Sequence, residues 1–148
     1  MNRQRISRKA GRELDRDVAI KVMGFIWLKH LLQFSAELAV KWMGTTADRE
    51  QSGGVYVPVE KESEMISLKV RENFDESVPP YSTDINAARQ VIEQMKKRGY
   101  AYIFEEKMEQ EGPVYYGRFV KDGIDFGAGT GCRLEAEAIV KAALTALA

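Results

Sequence analysis

Pro79-Pro80-Tyr81-Ser82-Thr83-Asp84-Ile85, running on through Asn86 to Arg98 and closing at Gly99, is the stretch whose reading decides the fold. Two prolines hold the backbone extended and forbid helix immediately before them. Ser82, Thr83 and Asp84 each carry a short oxygen that can accept from an unpaired amide of a first helical turn, and the sequence leaves open which is the cap. Asp84 also puts negative charge at the positive end of the helix dipole. Ile85, Ala88, Ile92 and Met95, with Val91 beside them, recur at helical spacing on one face, while Arg89, Glu93, Gln94 and Lys96 fall mainly on the other. Lys96, Lys97 and Arg98 suit the carboxyl end, and Gly99 suits the left-handed residue that closes a helix. Start, period and stop agree on a helix that divides the chain.

Beyond that helix, Tyr100, Tyr102 and Phe104 alternate with Ala101 and Ile103, and Gln110-Glu111-Gly112-Pro113 turns the chain. Val114, Tyr116 and Arg118 alternate with Tyr115, Gly117 and Phe119, and Lys121-Asp122-Gly123 is a hairpin turn into a third strand, Ile124 to Ala128. Ala136, Ile139, Val140, Ala143, Leu144 and Leu147 then line one side of a final helix. Residues 79–148 therefore predict an α-β-β-β-α unit of the α+β class, an antiparallel sheet between helical layers.

Before the dividing helix the chain changes character three times. Residues 1–12 form a basic arm with Arg3, Arg5, Arg8, Lys9 and Arg12 and no acid. Such an arm displaces counterions from nucleic acid, and its plainer reading is a solvated tail. Residues 13–44 predict helices broken at Gly24. Within them Val18-Ala19-Ile20-Lys21-Val22-Met23-Gly24 is echoed by Leu38-Ala39-Val40-Lys41-Trp42-Met43-Gly44, which reads either as an α-hairpin repeat or as coincidence. Phe25-Ile26-Trp27-Leu28, Leu31-Leu32 and Phe34 are too interrupted by Lys29, His30, Glu37 and Lys41 to cross a bilayer, which takes roughly 20 apolar residues. Their burial in the domain or a subunit interface is expected, and with it a homo-oligomer through these apolar helices. Residues 45–78 predict an irregular or hairpin insert, with Val55-Tyr56-Val57 and Ile66 to Val70 strand-like and Pro58 keeping the first short or at an edge.

The whole chain has 148 residues, 45% apolar and 30% charged, which predicts one globular domain. Its formal net charge of zero supplies no field drawing it to nucleic acid or to a membrane, and does not oppose self-association. One cysteine, Cys132, excludes an internal disulfide and a cysteine zinc site, and one histidine, His30, excludes a multi-histidine metal site. No signal peptide is read at the start, so a cytoplasmic protein is expected.

Few residues carry a chemical signal. His30 reads as a buried or interface histidine within a helix. Cys132 precedes the final helix, where a helix terminus can lower a thiol pKa, yet no base lies near it and a structural thiol is the plainer reading. Gly127-Ala128-Gly129-Thr130-Gly131 ahead of a helix can converge amides on an anion, with Thr130 and Arg133 adding a hydroxyl and a guanidinium. That spacing matches neither a P-loop nor a dinucleotide fingerprint, and a tight strand-to-helix turn explains it as well. Tyr100, Tyr102, Tyr115 and Tyr116 make an aromatic sheet of which half must face the core. The acids Glu105, Glu106, Glu135, Glu137, Asp122 and Asp125 read as solvated surface. With no nucleophile–base pair, metal set or cofactor motif, a non-enzymatic role is expected.

Val22-Met23-Gly24, Tyr81-Ser82-Thr83-Asp84-Ile85 and Ala136-Glu137-Ala138-Ile139 with Ala142-Ala143-Leu144 together resemble the phage "ABA sandwich" family, small proteins of phages and prophages mostly of Gram-positive bacteria. The resemblance covers residues 13–24 and 79–148. Arg89 stands where the family has an aromatic, Leu134 where it has a Thr-type cap, and the segment from Phe25 to Val78 is an untypical insert. The resemblance implies α/β/α layering and a phage context, with no catalytic residue to carry over. The expectation that follows is a protein of the host cytoplasm that antagonises a host defence. It would bind a host protein or sequester a nucleotide signal, the latter with Gly129, Thr130, Gly131 and Arg133 on phosphate and Arg118 with Tyr116 on the base. The alternative is nucleic-acid binding by a unit like a double-stranded-RNA-binding domain. Against it, the final helix offers only Arg133 and Lys141 nearby, and the net charge is neutral.

Overall fold

The computed structural model describes residues 10–30, 41–54, 56–59, 78–126 and 131–148. In chain order the elements are α1 (Arg12–Lys21), β1 (Ile26–His30), β2 (Lys41–Gly44), α2 (Thr46–Gln51), β3 (Tyr56–Pro58), α3 (Ile85–Lys97), β4 (Ala101–Glu109), β5 (Gly112–Lys121), β6 (Ile124–Asp125) and α4 (Glu135–Leu147). Length predicts one domain; the chain divides into two compact units, Gly24–Pro79 being inserted into a unit built from Met1–Met23 and Pro80–Ala148.

In the divided unit, α3 opens on Asp84, whose side chain accepts from the Asn86 amide at 2.9 Å. It closes at Gly99, with φ of 91°, where the Tyr100 amide reaches back to the Met95 carbonyl at 3.0 Å. Ala87, Ala88, Val91 and Met95 are its buried face. Ser82 is not a cap here. Its amide and hydroxyl both donate to Asp15 Oδ1 on α1, at 2.7 and 2.6 Å, while its hydroxyl oxygen accepts from the Gly11 amide at 2.8 Å. Arg12 completes the arrangement with an ion pair to Asp15 Oδ2 at 2.9 Å. The start of α1 is thereby fastened to the start of α3 across the whole inserted unit.

β4 and β5 form one long hairpin, from Ala101↔Val120 to Glu109↔Gly112, and β6 pairs back on β5 through Lys121↔Ile124. The second turn places Asp122 (φ 54°) and Gly123 (φ 77°) both in the left-handed region, the pattern of a two-residue type I′ turn matched to strand twist. Tyr115 exchanges both backbone hydrogen bonds with Cys132, at 2.8 and 3.0 Å, on the β6 side of β5. Alternation then turns the odd residues of β5 toward that side and its even residues toward β4. By the pairing register, Ala101, Ile103, Glu105, Lys107 and Glu109 of β4 bond to β5, and the backbone groups of Tyr102, Phe104, Glu106 and Met108 point the other way.

Helix α4 packs on β5 and against both α1 and α3. Ala136, Ala138, Ile139, Val140, Ala142, Ala143, Leu144 and Ala146 are buried, and Lys141 at 9% exposure is held by Glu137 at 2.8 Å. Its alanines admit neighbours on all sides, and a Cβ at Gly117 would stand 3.1 Å from the Ala138 carbonyl oxygen. The sheet is expected between helical layers; among the described residues the enclosed element is α4. β4 is exposed at every residue except Tyr102.

Residues 13–44 differ more from expectation. α1 is helical, but Ile26–His30 and Lys41–Gly44 are strands, paired antiparallel from Ile26↔Gly44 to Lys29↔Lys41. A short apolar run with aromatic and branched residues suits a buried strand as well as a helix, and cross-strand pairing settles it here. His30 accordingly lies on a strand. The apolar helices expected to carry an oligomer interface are not the structure of these segments, and residues 31–40 lie outside the described residues. The echo is no structural repeat. Its first copy holds the last turn of α1, which ends at Lys21, and runs on to Gly24 (φ 78°), whereas Lys41–Gly44 of the second is β2.

The inserted unit is a sheet of order β2-β1-β3 around buried Leu28, with the short helix α2 held by a reciprocal Thr45–Asp48 capping box. The strand expected at Ile66 to Val70 lies outside the described residues.

Candidate functional site

The site is built by the register of β4 and β5. Glu105↔Tyr116, Ile103↔Arg118 and Lys107↔Val114 share one face of the sheet. The opposite face carries Tyr102, Gly117 and Phe119, and α4 packs there. Phe119 is fully buried, with the Tyr102 ring 5.3 Å and the Tyr100 ring 6.4 Å from its own.

On the open face Arg118 lies between two carboxylates, Glu105 at 3.4 Å and Asp125 at 3.5 Å. Lys107 Nζ stands 5.2 Å from the centre of the Tyr116 ring. Gly131 crosses this ring so closely that a Cβ would lie 2.9 Å from Tyr116 Oη and 2.6 Å from Val114 Cγ1. A glycine is what lets the chain pass. The result is a rigid face on which an aromatic ring, a fixed guanidinium and the apolar Ile103 stand among alternating charges.

Of the six residues that the sequence singles out for a ligand, Tyr116 and Gly131 are in contact, and Arg118 stands two positions farther along the same face. Arg133 lies elsewhere, at the β4–β5 turn, paired with Glu111 at 3.3 Å and donating to the Gly112 and Pro113 carbonyls at 3.1 and 3.4 Å. Arg118 and Pro113 are five positions apart on β5, about 16 Å at the usual strand rise, so the two guanidinium groups serve opposite ends of the strand. Gly129 and Thr130 lie outside the described residues. The N-terminus of α4 already has Glu135 and Glu137 in its first turn.

Cys132 is buried, and its thiol is pushed up to about 11, first by burial, then by Glu137, against a smaller opposing effect of Lys141. A thiol so placed stays protonated at neutral pH, the opposite of the lowered pKa that activates a cysteine. Tyr102 is raised to about 12 by burial and then by Glu135, and its hydroxyl is buried without a hydrogen-bond partner among the described residues. Among the described residues no group of three His, Cys, Asp or Glu side chains could hold a metal ion, and no helix is long and apolar enough to cross a membrane.

One feature is absent from the sequence reading: the exposure of Phe104 and Met108, 40% and 76%, on a β4 that runs on to Glu109. Phe104 stacks on Tyr115 with ring centres 5.9 Å apart. The only sequence signal is the pair of apolar residues Phe104 and Met108, an even number of positions apart and so on one face of a strand, with charges between them. Compared with protein-family models, with curated proteins and with solved structures, the chain matches none.

Proposed function

We propose that this is a non-enzymatic binding protein of phage or prophage origin that antagonises a host defence by gripping a host protein through the open face of the β4–β5–β6 sheet. The observation that carries the reading is Arg118 held between Glu105 and Asp125 beside Tyr116, on the face of the sheet opposite the one on which α4 packs. Arginine and tyrosine are enriched among the few residues that dominate binding at protein interfaces, and a side chain already held in place loses little entropy on binding. Phage origin rests on the resemblance alone. The unit that the resemblance covers has the order helix, three strands, helix, with α1 packed on the last helix. A protein partner is favoured over a nucleotide because Arg118 and Arg133 each already face a carboxylate, which a phosphate would have to displace. It is favoured over duplex RNA because α4 is enclosed, so it does not lie along a backbone.

The test is affinity capture from host cells with the native chain and with Tyr116→Ala/Arg118→Glu. A host protein retained by the first and lost by the folded variant is the expected result. Equal capture by both overturns the reading. So does heat in calorimetry against cyclic and linear nucleotides, or a gel shift of duplex RNA at low salt.

A further inference from the structure

We infer that β4 is a self-association edge: it pairs antiparallel with β4 of a second copy, about a two-fold axis through Glu106, and joins two sheets into one of six strands. This concerns the edge of the sheet, although two of the side chains it invokes, Glu105 and Lys107, also stand on the open face.

β4 spans nine residues, and all but Tyr102 are exposed. It has β5 on one side, and among the described residues no strand on the other. It contains no proline or bulge, two of the devices that stop an edge from templating another strand; its charges, Glu105, Glu106, Lys107 and Glu109, are a third, and they oppose pairing in any register that does not match them. The backbone groups pointing outward are those of Tyr102, Phe104, Glu106 and Met108, as the Tyr115–Cys132 bonds and the hairpin register require. A two-fold axis normal to the sheet keeps like faces together, so it must pass through a residue of β4, and the side chains decide which.

Centring on Glu105 sets that carboxylate against its own copy at the closer, non-hydrogen-bonded spacing. Centring on Lys107 opposes two ammonium groups and sets Glu105 against Glu109. Centring on Glu106 places Glu105 opposite Lys107 twice on the open face. It also places Phe104 opposite Met108 twice on the other face, in pairs whose outward amides and carbonyls meet. That register covers Phe104 and Met108, two of the three large exposed apolar side chains of β4, sets the third, Ile103, opposite Glu109, and pairs Glu105 with Lys107. Its one like pair, Glu106 with Glu106, lies at the wider hydrogen-bonded spacing.

The experiment is sedimentation equilibrium of the full chain across the micromolar range. A mass approaching twice the 16.7 kDa chain is expected at the upper end. Lys107→Glu and Glu105→Lys should each weaken self-association roughly tenfold or more, since each sets like charges opposite one another twice. An equimolar mixture of the two variants should associate at least as tightly as the native chain, because every crossing is then opposite in sign. Glu106→Pro should give a monomer of unchanged circular dichroism, since that amide points away from β5 and its loss costs no bond within the chain. A native chain that stays at 16.7 kDa throughout overturns the inference, as does a mixture no tighter than either variant or a dimer undisturbed by Glu106→Pro. Glu106 is not on the open face, so host-protein capture by the Glu106→Pro monomer tests the functional reading separately.

Discussion

The buried polar cluster at the start of α1 is where single side chains matter most. Asp15 and Ser82 are 1% and 0% exposed, so water cannot replace what either loses. Asp15→Ala removes the acceptor of the Ser82 amide, the nearer acceptor of its hydroxyl (the Gly11 carbonyl remains at 3.2 Å) and the Arg12–Asp15 ion pair, and should cost about 3 kcal/mol, read as the shift in urea midpoint. Tyr81 beside them is raised to about 12, by burial and then by Asp15. A second prediction concerns alkaline pH. The Cys132 thiol titrates ordinarily at 9.0 but at about 11 when folded, so the unfolded chain gives up its proton first as pH rises. Its contribution is therefore complete below pH 9.0 and is lost as pH climbs toward 11, and Cys132→Ala should flatten that part of a stability-versus-pH curve. Tyr81 and Tyr102 extend the same decline toward 12. None of this was legible in the sequence. Ser82 looks like one of three equivalent caps until its partner, 67 positions away, is known.

Among the elements, α3 was the most legible, because its cap, apolar period and closing glycine are independent signals that agree. The hairpin positions of Tyr116 and Arg118 also followed from alternation. Their carboxylate partners did not, since Glu105 and Asp125 reach Arg118 only once two turn lengths fix the register. Ile26–His30 misleads because three apolar residues carry no decisive period, and strand pairing with Lys41–Gly44 is a long-range event. The final helix was read as one-sided, although its alanines allow contact all round. That close packing is testable at Gly117. Gly117→Ala brings a Cβ to 3.1 Å from the Ala138 carbonyl, backbone that cannot rotate aside, so α4 must shift. A loss of about 1–3 kcal/mol in chemical denaturation is expected, in the range of overpacked cores.

At the scale of the whole molecule the main fact is nesting, with Gly24–Pro79 set inside a unit whose two parts flank it in sequence. Glycine at 24 and prolines at 79–80 mark the boundaries in sequence, whereas 148 residues of ordinary apolar and charged content predict one domain. The start of α1 touches Ser82, and its ten residues rise about 15 Å to the point where the insert begins. Five or six Gly/Ser residues span that distance at roughly 3.3 Å each. A chain with Gly24–Pro79 replaced by such a linker should unfold in one cooperative thermal transition, and a non-cooperative melt would show that the outer unit depends on its insert. The Asp15–Ser82 clasp also orders events at the ribosome. The first helix emerges several seconds before its receiving segment, at the usual pace of translation, while the inserted residues are already complete. The protein is thus finished from the inside outward, and a message cut short before Pro80 yields an orphaned helix with nothing to close upon.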